Sequence, residues 1–370
     1  MNDLRPYRRI VSGESGWWFA PIRGLLRVGE WCYAGAVSRR NRFFDQGGVI
    51  VRLPVPVISV GNLTVGGTGK TPLVMELVSR LEQRKGNPAV VSRGYGSKDG
   101  EPNDEEILIR SRCPGVICVS NPDRVQAGRT ACERFAANVI VLDDGFQHRR
   151  LHRDLDIVLI DATCPFGYDH LLPRGLLREP VSSLRRADAI LITRCDQASA
   201  ARLADISRRL HQTTHRACVL RCRTRVIDLV TLDGAPWRGS LAGARVAALA
   251  AIGNPSAFAC TIQSLGANVV QARWFPDHHQ YRSRDIRRWL SPSQTPAHDL
   301  VVTTEKDAVK LRQVDGLRLD AFVVVRIAME FMDHGEVELM SLMDRVLGQY
   351  SSSRSAALSI PTATAGERNL

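Results

Sequence analysis

The stretch VPVISVGNLTVGGTGKTPLVMELV, Val55 to Val78, leaves the chain few folds to choose from. An apolar strand ends at Val60, glycines follow, and Lys70 and Thr71 open a helix that continues through PLVMELVSRLEQRKG. A strand, a glycine turn and a helix in that order aim backbone N–H groups at an anion. The lysine then reaches the terminal phosphates of a nucleotide, and the threonine hydroxyl can ligate Mg²⁺. Pro72 suits the first helical turn, where its missing N–H costs little. The spacing departs from GxxxxGK[ST] at one place: Thr64 stands where the first glycine belongs, while Gly66, Gly67 and Gly69 keep the loop permissive. The nucleotide-binding residues read from this stretch are Thr64, Val65, Gly66, Gly67, Thr68, Gly69, Lys70 and Thr71. The expected fold is therefore α/β, with a mostly parallel sheet of the P-loop NTPase kind.

The rest of the chain supports that expectation. Strand-like runs VPVISV, NPAVVS, GVICVS, NVIVLDD, LDIVLID and ADAILIT alternate with helix-like segments, the rhythm of a parallel sheet covered on both faces. It fades at RACVLRCRTRVIDLVTLDGAPW, which alternates like a hairpin and ends in turn residues. A second set, RVAALAAIGNPSAF, NVVQARWF, DLVVTTEKDA and AFVVVRIAM, suffices for a smaller α/β domain. The expected division is an amphipathic N-terminal helix over 1–45 and a P-loop domain over 46–215. A two-stranded linker over 216–240, a smaller α/β domain over 241–349 and a disordered Ser/Ala/Thr-rich tail over 350–370 follow.

Only five of the 50 basic residues are lysines, and the net charge is +12. A preference for arginine codons explains that bias but not the charge, which points to acidic partners: nucleotide, nucleic acid or anionic lipid. The nine cysteines contain no CxxC pair and no zinc-like spacing, which suits reduced thiols in the cytosol. No cleavable export signal is expected, because Arg23, Arg27 and Glu30 interrupt the apolar residues near the N-terminus. No apolar run is long enough to span a bilayer. Trp17, Trp18, Phe19, Ile22, Leu25, Leu26 and Trp31 lie among arginines. That mixture suits either a helix at a membrane interface or one packed on the protein's own core.

A phosphate loop needs a carboxylate to complete a magnesium shell, usually at the end of a neighbouring strand. NVIVLDDGFQHRRL offers two, Asp143 and Asp144. In SRGYGSKDGEPNDEEILIRS, Arg93 ends a strand in a basic turn, and Asn103 is placed to cap a helix opening with Asp104, Glu105 and Glu106. Such acids are either ordinary first-turn residues favoured by the helix dipole or the acceptor of a hydroxyl proton. In RWFPDHHQY, Asp277, His278 and His279 lie just past a strand; the histidines suit a surface loop, a metal or an acid/base role. Two other functions compete with a kinase. ADAILITRCDQ loosely resembles a guanine-recognition [NT]KxD turn at Thr193 to Asp196, and the basic runs HRRLHRDLD and SSLRRAD suggest nucleic acid. The basic runs lack interleaved aromatic residues, so no nucleic-acid partner is expected.

Taken together, SVGNLTVGGTGKTP, SRGYG, NDEEILI, NPDRVQAGR, VLDDGFQHRRLHRDLDIVLID, LLPRGLLREP, IGNPSAF, FPDHHQY and TTEKDAVKL resemble the tetraacyldisaccharide 4′-kinases, the lipid A 4′-kinases of Gram-negative bacteria. They run in order over roughly residues 15–345. The resemblance implies a phosphotransferase that moves the γ-phosphate of ATP to the 4′-hydroxyl of tetraacyldisaccharide 1-phosphate, forming lipid IVA. It implies ATP and Mg²⁺ at Lys70 and Thr71, and Asp143 and Asp144 near the metal. Asp104 takes the place of the catalytic carboxylate and His278 that of the histidine orienting it. Arg93, Glu105, Arg124 and Arg178 fall near the phosphates or the sugar headgroup. The family's GDEP reads NDEE here, so Asn103 and Glu106 depart from it. A lipid substrate also implies membrane contact by the N-terminal helix, in a monomer bound peripherally or monotopically at the cytoplasmic face of the inner membrane.

Overall fold

The computed structural model describes residues 4–13, 16–94, 102–290, 298–317 and 321–358. Two N-terminal helices, α1 (Leu4–Ser12) and α2 (Ala20–Asp45), precede a run of β1 (Val57–Asn62), α3 (Lys70–Gln83), β2 (Pro88–Ser92), α4 (Asp104–Arg112), β3 (Ile117–Ser120), α5 (Arg124–Phe135), β4 (Val139–Asp143), β5 (Leu155–Asp161), β6 (Ala189–Thr193) and α6 (Ala200–Thr213). A long strand β7 (Cys218–Thr231) leads to β8 (Arg245–Ala250), α7 (Pro255–Ser264), β9 (Asn268–Trp274), α8 (Ser283–Trp289), β10 (Leu300–Thr304), α9 (Glu305–Leu311), β11 (Phe322–Phe331) and α10 (Gly335–Leu358). All strands join one sheet in the order β3-β2-β4-β1-β5-β6-β7-β11-β10-β8-β9. Every neighbouring pair is parallel except β7 with β11.

That antiparallel pair decides where a ligand can sit. The first residues of β7, Cys218 to Arg221, pair with β6; from Cys222 to Thr231 the strand runs on past the carboxyl end of β6 and pairs with β11 instead. Because β11 runs back along β7, the carboxyl ends of the second unit's strands point toward those of the first. Ligands of open parallel sheets bind outside carboxyl ends, and here two such edges face one another. The stretch expected to be a two-stranded linker is mostly one long strand paired with β6 and with the distant β11, and it turns back on itself only at its end, where Val230 bridges Pro236. Period-2 alternation is common to both arrangements and does not name the partner.

The strands of the first unit are buried on both faces: β1, β4, β5 and β6 carry no exposed residue. Leu73, Val74, Leu77, Val78 and Leu81 of α3 pack on one face of the sheet. Full burial of such a side chain contributes roughly 1.5–3 kcal/mol, so α3 and the loop before it are firmly seated. Leu339, Met343 and Val346 of α10 join that same cluster, and Arg84 ties to Asp344 at 2.9 Å. Residues 335–349, assigned by strand rhythm to the second unit, therefore pack on the first. The helix continues to Leu358, beyond the expected start of a disordered tail at residue 350; the remainder of that tail lies outside the described residues.

The N-terminal helices attach to the 170–179 segment. The Tyr7 hydroxyl lies 2.6 Å from the Pro173 carbonyl, Arg174 donates to the Val11 carbonyl at 3.0 Å, and Tyr33 donates to the Arg178 carbonyl at 3.0 Å. Trp18, Ile22, Leu25, Val28 and Trp31, spaced three or four apart, form a stripe that faces away; Trp18 is 72% exposed, Leu25 73% and Trp31 66%. No helix among the described residues is long and apolar enough to cross a membrane.

Candidate active site

A cleft of about 800 Å³ lies between the facing carboxyl edges, lined by Gly66 to Thr71, Asp143 and Asp144 from one unit and by Asn254, His278 and Lys306 from the other. Gly69 precedes α3 with φ of 94°, a left-handed turn that suits glycine. It brings the Lys70 ammonium within 3.2 Å of Asn62 Oδ1 and 3.3 Å of Asp144 Oδ1. Thr64 does not reach the cleft. It is buried and bridges to Leu177, while the Val65 N–H donates to the Leu176 carbonyl at 2.8 Å. These two residues moor the loop to the 170–179 segment, and the Val65 N–H is already spent on that segment.

The acid pair divides in character. Asp144 is drawn to Lys70 and accepts from Arg178 Nη1 at 3.0 and 2.8 Å. Burial pushes its carboxyl up, but Lys70 and Arg178 outweigh burial and hold it well below the usual carboxylate range. Asp143 is buried, and burial together with the Glu105 charge raises its carboxyl well above that range against the pull of Lys70. Its Oδ1, like the Thr68 hydroxyl, has no hydrogen-bond partner among the described residues. A carboxyl oxygen left this way beside a phosphate loop, its charged form disfavoured by burial, fits a site that a hard divalent cation would complete. The Asp143 carboxylate and the Thr71 hydroxyl are oxygen donors of the kind Mg²⁺ takes, with phosphates completing the shell, and Asp144 stands beside them paired to Lys70 and Arg178. Arg93 lines the cleft, and Arg124 is buried beside it. Burial and the Arg93 charge push the Arg124 guanidinium down. His148 is pushed down to about 4 by burial and by Arg124, so its ring is neutral.

Asp104 opens α4. The Asn103 side chain accepts from the Glu106 N–H at 2.8 Å, capping the helix where the family pattern has glycine. Glu106 accepts from Arg110 at 2.8 Å and from Ser120 at 2.9 Å. Both departures from GDEP are thus absorbed locally, and Asp104 keeps its place. Its Oδ1 lies 2.9 Å from His278 Nδ1, a contact between the two units. Burial pushes the Asp104 carboxyl up, but the His278 hydrogen bond and the charges of Lys306, His278 and Lys310 hold it far below its ordinary value. Burial and the Lys306 charge push the His278 ring down, but Asp104 and Asp277 together outweigh them, so the ring is raised. The residue sits at φ of 61°, strained for a side chain of this size. The sequence reading missed Lys306 and Lys310, although both lie in the quoted TTEKDAVKL. Lys306 contacts Glu105 at 3.0 Å, Asp277 at 3.2 Å and Asp104 at 3.8 Å.

Two further contacts hold the units together. Gly253 packs on the phosphate loop, the α-carbon of Gly253 standing 3.4 Å from where a Gly67 β-carbon would be. Asn254 caps α7 by accepting from the Ala257 N–H and donates to Asp161 at 2.9 Å. The turn that resembled a guanine signature is occupied by structural bonds: the Thr193 hydroxyl donates to the Thr68 carbonyl, Arg194 pairs with Asp161, and Asp196 accepts from Thr224 N. The basic run is also engaged internally, Arg149 with Asp45, Arg150 with Asp123 and Arg153 with Asp156.

Comparison with known proteins bears on this geometry. Residues 22–347 match the family described as tetraacyldisaccharide-1-P 4′-kinase. The tetraacyldisaccharide 4′-kinase of Anaeromyxobacter sp. (strain K) is 38% identical over 94% of this chain and 98% of its own length. That of Syntrophus aciditrophicus is 40% identical over 82% and 88%. A crystal structure of LpxK from Aquifex aeolicus in complex with ATP superposes with a TM-score of 0.66 at 28% identity, covering 88% of this chain and 99% of that one.

Proposed function

The chain belongs to the tetraacyldisaccharide 4′-kinase family, and from that premise we propose how its residues divide the reaction. The protein is a phosphotransferase: it moves the γ-phosphate of ATP to the 4′-hydroxyl of tetraacyldisaccharide 1-phosphate and forms lipid IVA in lipid A biosynthesis. Mg²⁺, when bound, screens the phosphate charge that builds up as the terminal bond breaks.

The N–H groups from Gly66 to Thr71 and the Lys70 ammonium hold the nucleotide's phosphates. Asp143, whose buried Oδ1 has no hydrogen-bond partner among the described residues, and Thr71 hold the metal, while Asp144 holds Lys70 and Arg178 in place. Asp104 aligns the 4′-hydroxyl and receives its proton as the new O–P bond forms and ADP departs. The observation that carries this assignment is the 2.9 Å contact between Asp104 of one unit and His278 of the other at the cleft. Phosphoryl transfer passes through a loose transition state that asks little of a base, so a carboxylate of low basicity suffices when it is well aimed. Arg93, Arg124, Arg178 and Glu105 handle the phosphates and sugar headgroup.

A substrate with four acyl chains does not leave the bilayer cheaply, at about 0.8 kcal/mol per methylene. The outward stripe of Trp18, Leu25 and Trp31 is apolar where a globular helix is polar, so α2 lies in the membrane interface as a peripheral or monotopic anchor. A monomer on the cytoplasmic face, with ATP at hand, is the working form. The domain division that goes with this reading is a P-loop unit completed by α10 and a smaller unit from β8 to β11. Transfer of labelled γ-phosphate from ATP to purified lipid A disaccharide 1-phosphate tests the whole. Absence of transfer, or equal use of GTP, would overturn the assignment of the site.

A further inference from the structure

We propose that Lys306 and Lys310 are a pair of positioning residues that clamp the Asp104 carboxylate when the two units close. The inference rests on the reading of Asp104 as the group that aligns the acceptor.

The two lysines are four residues apart on α9, which places them on one face of a helix. That face meets α4. Lys310 Nζ is 3.5 Å from Asp104 Oδ2 and 3.2 Å from Asp307 Oδ1, with its side chain only 4% exposed. Lys306 Nζ reaches the same Oδ2 at 3.8 Å while bridging Glu105 and Asp277. His278 hydrogen-bonds Oδ1, while Oδ2 has no hydrogen-bond partner among the described residues and faces the two ammonium groups at ion-pair distance, so both oxygens of a carboxylate on α4 lie against cationic or proton-donating groups from the other unit. Lys310 is itself braced. Asp307 is fully buried and accepts from the Tyr281 hydroxyl at 2.9 Å, the Thr304 hydroxyl at 2.7 Å and the Ala251 N–H at 3.0 Å. The Tyr281 ring centroid lies 5.5 Å from the ammonium. The brace therefore ties α9 to the end of β8, the strand whose following turn touches the phosphate loop.

Composition sharpens the point. Lysine supplies five of 50 basic residues in this chain, yet three of the five, Lys70, Lys306 and Lys310, are in or directly behind the cleft. At the tightly enclosed Lys310 a compact ammonium fits between Asp104 and Asp307 where a planar guanidinium fork does not. A codon preference for arginine leaves Lys306 and Lys310 unexplained, whereas packing around Asp104 explains them.

The charged and titratable groups facing Asp104 are His278 and Asp277 from the loop after β9, Lys306, Asp307 and Lys310 from α9, Tyr281, and Glu105 from its own helix. On the α3 side, Glu76 and Glu82 face Cys113 at the far end of α4. Removing either lysine takes away one of the charges that offset burial of the carboxyl and leaves Oδ2 facing one ammonium fewer, with His278 still on Oδ1.

The test uses the full chain with ATP, saturating Mg²⁺ and lipid A disaccharide 1-phosphate in mixed micelles. Lys310→Met is expected to lower kcat roughly 10- to 100-fold with the KM for ATP unchanged. Lys306→Met should act in the same direction, and Lys306→Arg, at the more open of the two positions, should restore part of the loss. A rise in the KM for ATP as the main effect, or no recovery of kcat in Lys306→Arg relative to Lys306→Met, overturns the proposal. If Lys310→Met does not fold, the Lys306 pair carries the same test. Asp104→Asn runs alongside: full activity there defeats the reading of Asp104, whereas an inactive Asp104→Asn with unaffected lysine variants defeats only the clamp.

Discussion

Replacing Gly253 by alanine places one methyl group where the phosphate loop lies. A β-carbon at that position stands 2.1 Å from the Gly67 nitrogen, 2.8 Å from its α-carbon and 2.9 Å from the Gly66 carbonyl carbon. All are backbone atoms, so no side-chain rotation relieves the overlap. Ordinary contact begins near 3.4 Å; the β8–α7 turn and the loop must therefore part by about 1 Å or more. Gly253 is not among the residues at positive φ, so alanine is compatible with its own backbone and the effect falls on the contact between the units. The same displacement carries Asn254 away from Asp161 and shifts His278 and the lysines relative to Asp104. A misplacement of about 1 Å costs on the order of 10²-fold in rate. Steady-state kinetics with varied ATP should therefore show kcat/KM reduced about 100-fold, while thermal unfolding changes little because the clash is relieved by opening rather than by repacking. A folded Gly253→Ala protein with ATP kinetics within about twofold of the parent would show that this contact is absent from the working enzyme.

Lys70→Ala removes the charge that meets the terminal phosphates and also releases Asp144, so turnover should be abolished; near-normal phosphate transfer would sink the loop assignment. Asp104→Ala and His278→Ala should each lower kcat by roughly 10²-fold or more. Acting as one unit, they should give a double variant little worse than the poorer single one, whereas fully multiplicative losses would mean they work independently. Leu25→Ser with Trp31→Ser removes two outward apolar groups, worth about 1.5–3 kcal/mol each when buried. Affinity for vesicles containing anionic lipid should drop tenfold or more while the KM for ATP holds, and unchanged vesicle binding would dismiss the stripe as an anchor.

What the sequence could disclose divides along physical lines. The glycine turn, the acid pair after β4 and the Asn103 cap are local: strand, turn and helix chemistry lie within a few residues of one another, so the residues announce their own conformation. Contacts set by the path of the chain are not local. Alternation in Cys218–Thr231 reveals a strand but not that β11 is its partner, and the apolar face of α10 does not say which unit it covers. Lys306 and Glu105 are 201 positions apart, and only the overshoot of β7 beyond the first sheet brings them together. That overshoot also explains why the chemistry is split as it is. A carboxyl edge alone can hold phosphates with loop amides and a lysine, but it leaves an acceptor carboxylate at the rim, wet and free to turn. Folding a second carboxyl edge back over the first surrounds Asp104 with His278, Lys306 and Lys310 from across the cleft. On the proposed reading of Asp104, the alignment of the acceptor then depends on the contact between the two units.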